Sequence, residues 1–177
     1  MTVYVILFRG VGGATQLPTK PLREALEKAG FKDVATYINS GNAVLSSGKR
    51  ASAVVSDIAA IASKEFGFDK ATHAVTREDW QSLIDKNPFP EAASTPKFLH
   101  AAVLAEKPET ARLEALRAFA AKGERVDVVG KVAYLHTPHG FGTSKLAVKF
   151  DKGIGVPNTA RNWNTVLALA KLADAVK

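Results

Sequence analysis

Tyr37-Ile38-Asn39-Ser40-Gly41-Asn42-Ala43-Val44-Leu45 joins two apolar runs through a short polar turn, the pattern of a β-hairpin. Gly41 can take positive φ without a Cβ penalty, and Asn39 and Asn42 can hydrogen-bond the turn's own amides. Turn chemistry alone explains these residue types. Positioned loops also hold ligands, so Ser40, Gly41 and Asn42 are binding candidates as well.

Before the hairpin, residues 3–8 are continuously apolar, with Tyr4, Ile6 and Phe8 on one face and Val3, Val5 and Leu7 on the other. That is the pattern of a central strand covered on both sides. It ends at Arg9-Gly10-Val11-Gly12-Gly13, a glycine-rich loop. Leu22, Ala25, Leu26 and Ala29 then recur at helical spacing and stop at Gly30, which predicts a helix over about 18–29. After the hairpin, Val55, Ile58, Ile61, Ala62 and Phe66 mark a second helix closing at Gly67. A strand over about 72–75 leads to Thr76-Arg77-Glu78-Asp79, a helix cap with an acidic first turn. The order βαββαβ plus a helix is the ferredoxin-like pattern.

Asn87-Pro88-Phe89-Pro90 and the residues to Pro96 break both periodicities, so the expected organisation is a first domain over 1–86, a linker over 87–97 and a second domain over 98–177. In that second half, 98–104 reads as a strand, 108–121 as a helix, and 125–129 with 132–136 as a hairpin turning at Gly130-Lys131. From Thr143 onward the pattern reads as helical, first around 146–150 and then from about Ala160 through Trp163, Val166, Leu167 and Ala170. The element order echoes the first half without a residue-level repeat. The fold class expected is α+β, two ferredoxin-like halves with antiparallel sheets.

A chain of 177 residues without cysteine can bury a core without disulfides, and it has no thiol nucleophile, Cys-ligated zinc or iron–sulfur cluster. The apolar run before Arg9 lacks a preceding basic region and reads as a buried strand, so a cytoplasmic protein away from membranes is expected. Net charge is +7 with a pI near 9.7, and the excess is uneven: residues 1–90 hold 11 Lys/Arg against 9 Asp/Glu, residues 91–177 hold 13 against 8. That balance favours anionic partners, nucleic acid or a phosphate-bearing ligand.

Three places could carry chemistry. Gly142-Thr143-Ser144-Lys145 combines hydroxyls, an ammonium and a helix start, which suits an anion and equally suits a plain cap. Arg161-Asn162-Trp163 offers a guanidinium fork and an indole, but Trp163 is also in register with Val166, Leu167 and Ala170 as a core residue. A site built from Lys145 and Arg161 requires their side chains to reach a common point. The face bearing Tyr4, Ile6 and Phe8 could stack bases, or be buried between the two halves. Histidines 73, 100, 136 and 139 lack zinc spacing with acidic partners, so no metal and no cofactor is assigned. Asp127 is an isolated acid–base candidate on the second hairpin.

Leu7-Phe8-Arg9-Gly10, Leu22 to Leu26, Gly30-Phe31, Val34, Thr36-Tyr37-Ile38, Ser40-Gly41-Asn42, Ser144-Lys145, Arg161-Asn162-Trp163 and Thr165-Val166 together resemble the bacterial family called domain of unknown function 1697. The resemblance implies a two-part α+β protein of ferredoxin-like halves and brings no established activity. The chain departs from the family pattern in a shorter loop after Arg9-Gly10, with Ala14-Thr15-Gln16 where relatives often carry lysine. The function expected is a binding module that holds nucleic acid or a nucleotide phosphate in the groove between the halves, using Arg9, Gly10, Ser40, Gly41, Asn42, Ser144, Lys145, Arg161, Asn162 and Trp163. A small enzyme acting on a phosphorylated or carboxylated metabolite and a protein-interaction scaffold are the alternatives, and the oligomeric state is open.

Overall fold

The computed structural model describes residues 1–39 and 41–177, and among them lie eight strands and six α-helices. Ser40 lies outside the described residues, so its part in the turn and in any site is not described. The chain divides into two compact units, Met1–Ser82 with Leu167–Lys177, and Leu83–Val166. The division falls inside two helices, ahead of the 87–97 stretch expected as a linker. It also returns the end of the last helix to the first unit instead of leaving it in a domain over 98–177.

In the first unit β1 (Thr2–Phe8), α1 (Thr19–Lys28), β2 (Lys32–Thr36), β3 (Asn42–Ser47), α2 (Ala51–Phe66), β4 (Thr72–Thr76) and α3 (Arg77–Asp85, which crosses the boundary) follow one another. The four strands form an antiparallel sheet in the order β2-β3-β1-β4. β1 is continuously apolar because it is paired on both edges and covered on both faces. Val5, Ile6, Leu7 and Phe8 have no exposed surface. Tyr4, Ile6 and Phe8 pack with Ala43 and Leu45 under Leu22 and Leu26 of α1 and Val54, Ile58 and Ala62 of α2. This corrects both expectations for that face: the unit's own helices cover it, so it neither stacks bases nor awaits the other half. α2 ends as its sequence predicts, with Gly67 at φ 63 and the Gly67 and Phe68 amides donating to the carbonyls of Ser63 and Ala62. Thr76 caps α3, its Oγ1 accepting from the Asp79 amide at 3.1 Å.

The second unit repeats the order with β5 (Leu99–Leu104), α4 (Thr110–Arg117), β6 (Arg125–Val129), β7 (Val132–His136), α5 (Lys145–Gly153) and β8 (Asn158–Asn162), in a sheet ordered β6-β7-β5-β8. Two 3₁₀ turns, Pro90–Ser94 and Pro96–Phe98, precede it. Ala102, Leu104, Val126, Ala133 and Leu135 form the sheet side of a core that Leu116 of α4 and Leu146 and Phe150 of α5 complete. α6 (Trp163–Asp174) closes the chain.

The expected helix from Ala160 is wrong at its start, because Asn158–Asn162 is an outer strand paired antiparallel with β5. Asn158-Thr159-Ala160-Arg161-Asn162 has no apolar alternation, so long-range pairing with β5 decides its conformation over local pattern. Helical geometry begins only at Trp163.

The β2–β3 connection depends on Gly41. Its φ is 76, its carbonyl accepts from the Phe8 amide at 2.9 Å, and a Cβ there would sit 2.6 Å from Val11 Cγ2 and 2.8 Å from Phe8 Cβ. Gly41→Ala therefore combines a strained backbone with a clash against buried neighbours. It should lower stability by about 1–3 kcal/mol, read as a lower urea midpoint with the slope unchanged; a midpoint equal to that of the parent protein contradicts the packing described.

Candidate functional site

Antiparallel pairing brings three loops to the end of β1. Leu7 lies between Asn42 and His73 across the sheet, and Phe8 pairs with Thr72. Beyond Phe8, the Arg9 amide donates to the Ala71 carbonyl at 2.9 Å. Arg9 and Gly10 therefore lie beside both the Gly41-Asn42 turn and the start of β4. Gly10 (φ 70) allows a close neighbour. The Lys70 ammonium donates to the Gly10 carbonyl at 3.2 Å, and a Cβ on Gly10 would stand 2.9 Å from Lys70 Cδ. Farther along the loop, Gly12 and Thr15 exchange backbone hydrogen bonds of 2.6 and 3.0 Å, and the Gln16 amide donates to Gly13 O at 2.6 Å. A Cβ on Gly12 or Gly13 would meet nothing within 4 Å. The loop surface at Gly12 and Gly13 is thus uncovered by side chains, in a loop that begins at Arg9 and is joined at Gly10 by Lys70, and an oxyanion can approach it closely.

Of the residues singled out by sequence, Arg9, Gly10, Gly41 and Asn42 are thus together. Asn42 is spent on the hairpin: it is 1% exposed, its carbonyl accepts from the Tyr37 amide at 3.0 Å, and its side-chain amide donates to Tyr37 O at 3.2 Å. Lys70 was missed, because it lies sixty residues from Gly10. The antiparallel β1–β4 pairing was the signal for it, since that pairing sets the end of β1 beside the residue entering β4.

The remaining candidates belong to the second unit and are occupied structurally. Ser144 is 4% exposed and caps α5, its Oγ accepting from the Ala147 amide at 3.1 Å. Lys145 follows it on the exposed side of α5. Arg161 donates to Thr159 Oγ1 and to Ala160 O, both at 2.9 Å. Burial lowers its guanidinium to about 10, so it remains charged at neutral pH. Asn162 caps α6 by accepting from the Asn164 amide at 3.0 Å, and it donates to Lys97 O at the same distance. Trp163 is 2% exposed, with its ring centroid 6.4 Å from that of Tyr134, whose hydroxyl donates to Leu83 O at 2.6 Å. The strand register sets Arg161, paired with Ala101, on the sheet face opposite Ala160 and Ala102, the residues that α4 and α5 cover. Lys145 and Arg161 are therefore not brought to a common point.

On the helix-covered face His100 stacks on Phe141, with centroids 3.8 Å apart and planes 23° from parallel. Its Nδ1 is buried without a partner among the described residues, and burial pushes its imidazole down to about 4. Among the described residues no group of three or more His, Cys, Asp or Glu is placed to hold a metal ion, and no helix is long and apolar enough to cross a membrane.

With this geometry established, the class is an α+β protein with two antiparallel four-stranded sheets and a basic loop cluster at the end of one. The chain belongs to the family described as "Protein of unknown function (DUF1697)", whose model matches residues 1–134. Its structure is similar to "The structure of conserved bacterial protein SP0830 from Streptococcus pneumoniae", at a TM-score of 0.72 and 20% sequence identity, covering 97% of this chain and 98% of that one. At that identity the likeness is one of fold. No curated protein matches the chain.

Two measurements check these assignments. Trp163→Ala should cost about 3–5 kcal/mol of stability, the range for a buried tryptophan; loss of a ligand at unchanged melting temperature would make it a contact residue instead. For His100, the unfolded chain takes up a proton below about pH 6.5 while the folded chain resists it to about 4. The unfolded state therefore binds more protons in that window, and stability falls as pH drops through it, by about 3 kcal/mol in full. Urea unfolding across that range should show the decline, and His100→Phe should flatten it.

Proposed function

We propose that this protein is a binding module for an anionic ligand, nucleic acid or a nucleotide phosphate, and that the ligand sits at the β1 end of the first unit. One observation carries the reading: the Lys70 ammonium is drawn over Gly10 by its hydrogen bond to the Gly10 carbonyl. The 9–19 stretch contains no lysine of its own, so Lys70 supplies the second cation beside Arg9. Together with the open backbone of Gly12 and Gly13, the two cations favour a phosphate oxygen over a neutral group. The net charge of +7 supports the same class of partner.

The strand orders β2-β3-β1-β4 and β6-β7-β5-β8, each reached through a strand–helix–strand–strand–helix–strand sequence, support reading each unit as a ferredoxin-like half. In such a half the end of one central strand lies beside the start of the other, as Leu7 does beside Asn42, and the loops there are brought together. A cytoplasmic setting agrees with the absence of cysteine.

Fluorescence anisotropy with short labelled RNA and DNA strands, at low and near-physiological salt, tests the proposal. Binding should weaken with salt in proportion to the phosphates contacted. Lys70→Ala should raise Kd about tenfold at fixed salt, the worth of one charge-assisted hydrogen bond, while leaving the melting temperature in place. Unchanged affinity in folded Lys70→Ala and Arg9→Ala variants would end the proposal. A loss seen only in Lys145→Ala would instead move the site to the start of α5.

A further inference from the structure

The second unit carries a pocket of about 370 Å³ at the start of β6, an outer strand of its sheet. Its lining pairs chemically opposite groups. Glu124 is only 8% exposed, yet its carboxylate makes one hydrogen bond, Oε2 accepting from the Ala121 amide at 3.0 Å. Oε1 has no protein partner among the described residues, and on a residue that lines the pocket it is open to accept from a cationic donor. Next to it, Arg125 is held from one side only. Its Nη2 donates to Glu91 and lies 3.2 Å from His136 Nδ1, and the guanidinium stacks 4.3 Å over the Phe89 ring. Arg125 Nε and Nη1 are not engaged by the described residues, so they can hold a carboxylate in the planar fork that guanidinium favours.

The other charged groups of the pocket are already satisfied. Arg117 donates to Glu114, to Asp127 Oδ1 at 3.1 Å and to the Val126 carbonyl at 3.4 Å, while the Val128 amide donates to Asp127 Oδ1 at 2.8 Å. This clamp also occupies the outward carbonyl of Val126 and the outward amide of Val128, which closes the strand edge to an added strand. Phe89, Ala120 and Val126 supply the apolar part of the wall.

We propose that this pocket binds a free α-amino acid with an apolar side chain, its ammonium on Glu124 Oε1, its carboxylate on Arg125 Nε and Nη1, and its side chain against Phe89, Ala120 and Val126. A simple cation is disfavoured by the two guanidiniums, and a simple anion by the free carboxylate oxygen. A zwitterion satisfies both groups at once.

Titration of the full chain with L-leucine, followed by ¹H–¹⁵N amide shifts, tests this. Saturable shifts should centre on residues 121–127. Isoamylamine, which lacks the carboxylate, and 4-methylpentanoate, which lacks the ammonium, should each bind at least about tenfold more weakly, since each loses one charge-assisted contact. Glu124→Gln keeps an oxygen for the Ala121 amide and so keeps the fold, but should weaken L-leucine about tenfold; Arg125→Lys keeps the charge and should weaken it through loss of the fork. Equal binding of isoamylamine, unchanged affinity in Glu124→Gln, or no saturable shift at residues 121–127 would each overturn the proposal.

Discussion

Everything in the first unit hangs on β1 being enclosed on four sides. It is hydrogen-bonded to β3 along one edge and β4 along the other, and Val5, Ile6, Leu7 and Phe8 have no exposed surface on either face. Each fully buried side chain of that size contributes about 1.5–3 kcal/mol relative to exposure, and a one-residue slip would exchange the residues packed on the two faces. With the register fixed, the chain leaving Phe8 has one place to go. It emerges between the Gly41 turn and Ala71, and Gly41 is glycine because Phe8 and Val11 leave no room for a Cβ. The candidate site is thus a consequence of how the core strand terminates. β5 holds the corresponding position in the second unit, paired with both β7 and β8.

The parts of this fold legible in the sequence are those dictated by local physics. The continuous apolar run of β1, the helix stop at Gly67, the Thr76 cap and the turn at Gly130 each need only their neighbours, and each stands where the sequence puts it. β8 was not legible. Its polar residues carry no period, and the helical spacing from Trp163 onward extends backward over them until the pairing with β5 interrupts it. Element order held the missing signal, since the strand–helix–hairpin–helix echo in the second half lacked its last strand.

The sites follow the same division. Ser144 and Asn162 proved to be helix caps and Trp163 a buried residue, as their residue types alone explain. Arg161 illustrates a guanidinium that bonds to its own strand, Nη1 donating to Thr159 Oγ1 and Ala160 O. Lys70 and Glu124 were invisible because nothing local marks them. One becomes significant only when β4 is laid beside β1, the other only when Ala121 takes one carboxylate oxygen and a pocket leaves the second uncovered. The two units share an architecture, yet they present different chemistry. The loops at the end of the first sheet offer donors and open glycine backbone, whereas the outer strand of the second offers an acceptor and a donor side by side.

The central claim is that the loops meeting at the end of β1 form an anion site. Its most direct test is a ¹H–¹⁵N amide titration with inorganic phosphate, which carries the proposed chemistry without a base or sugar. The account predicts saturable shifts at residues 9–13, 41–42 and 70–71 that disappear in Lys70→Ala. Shifts confined to the start of α5, or no saturable change in the first unit, would contradict it.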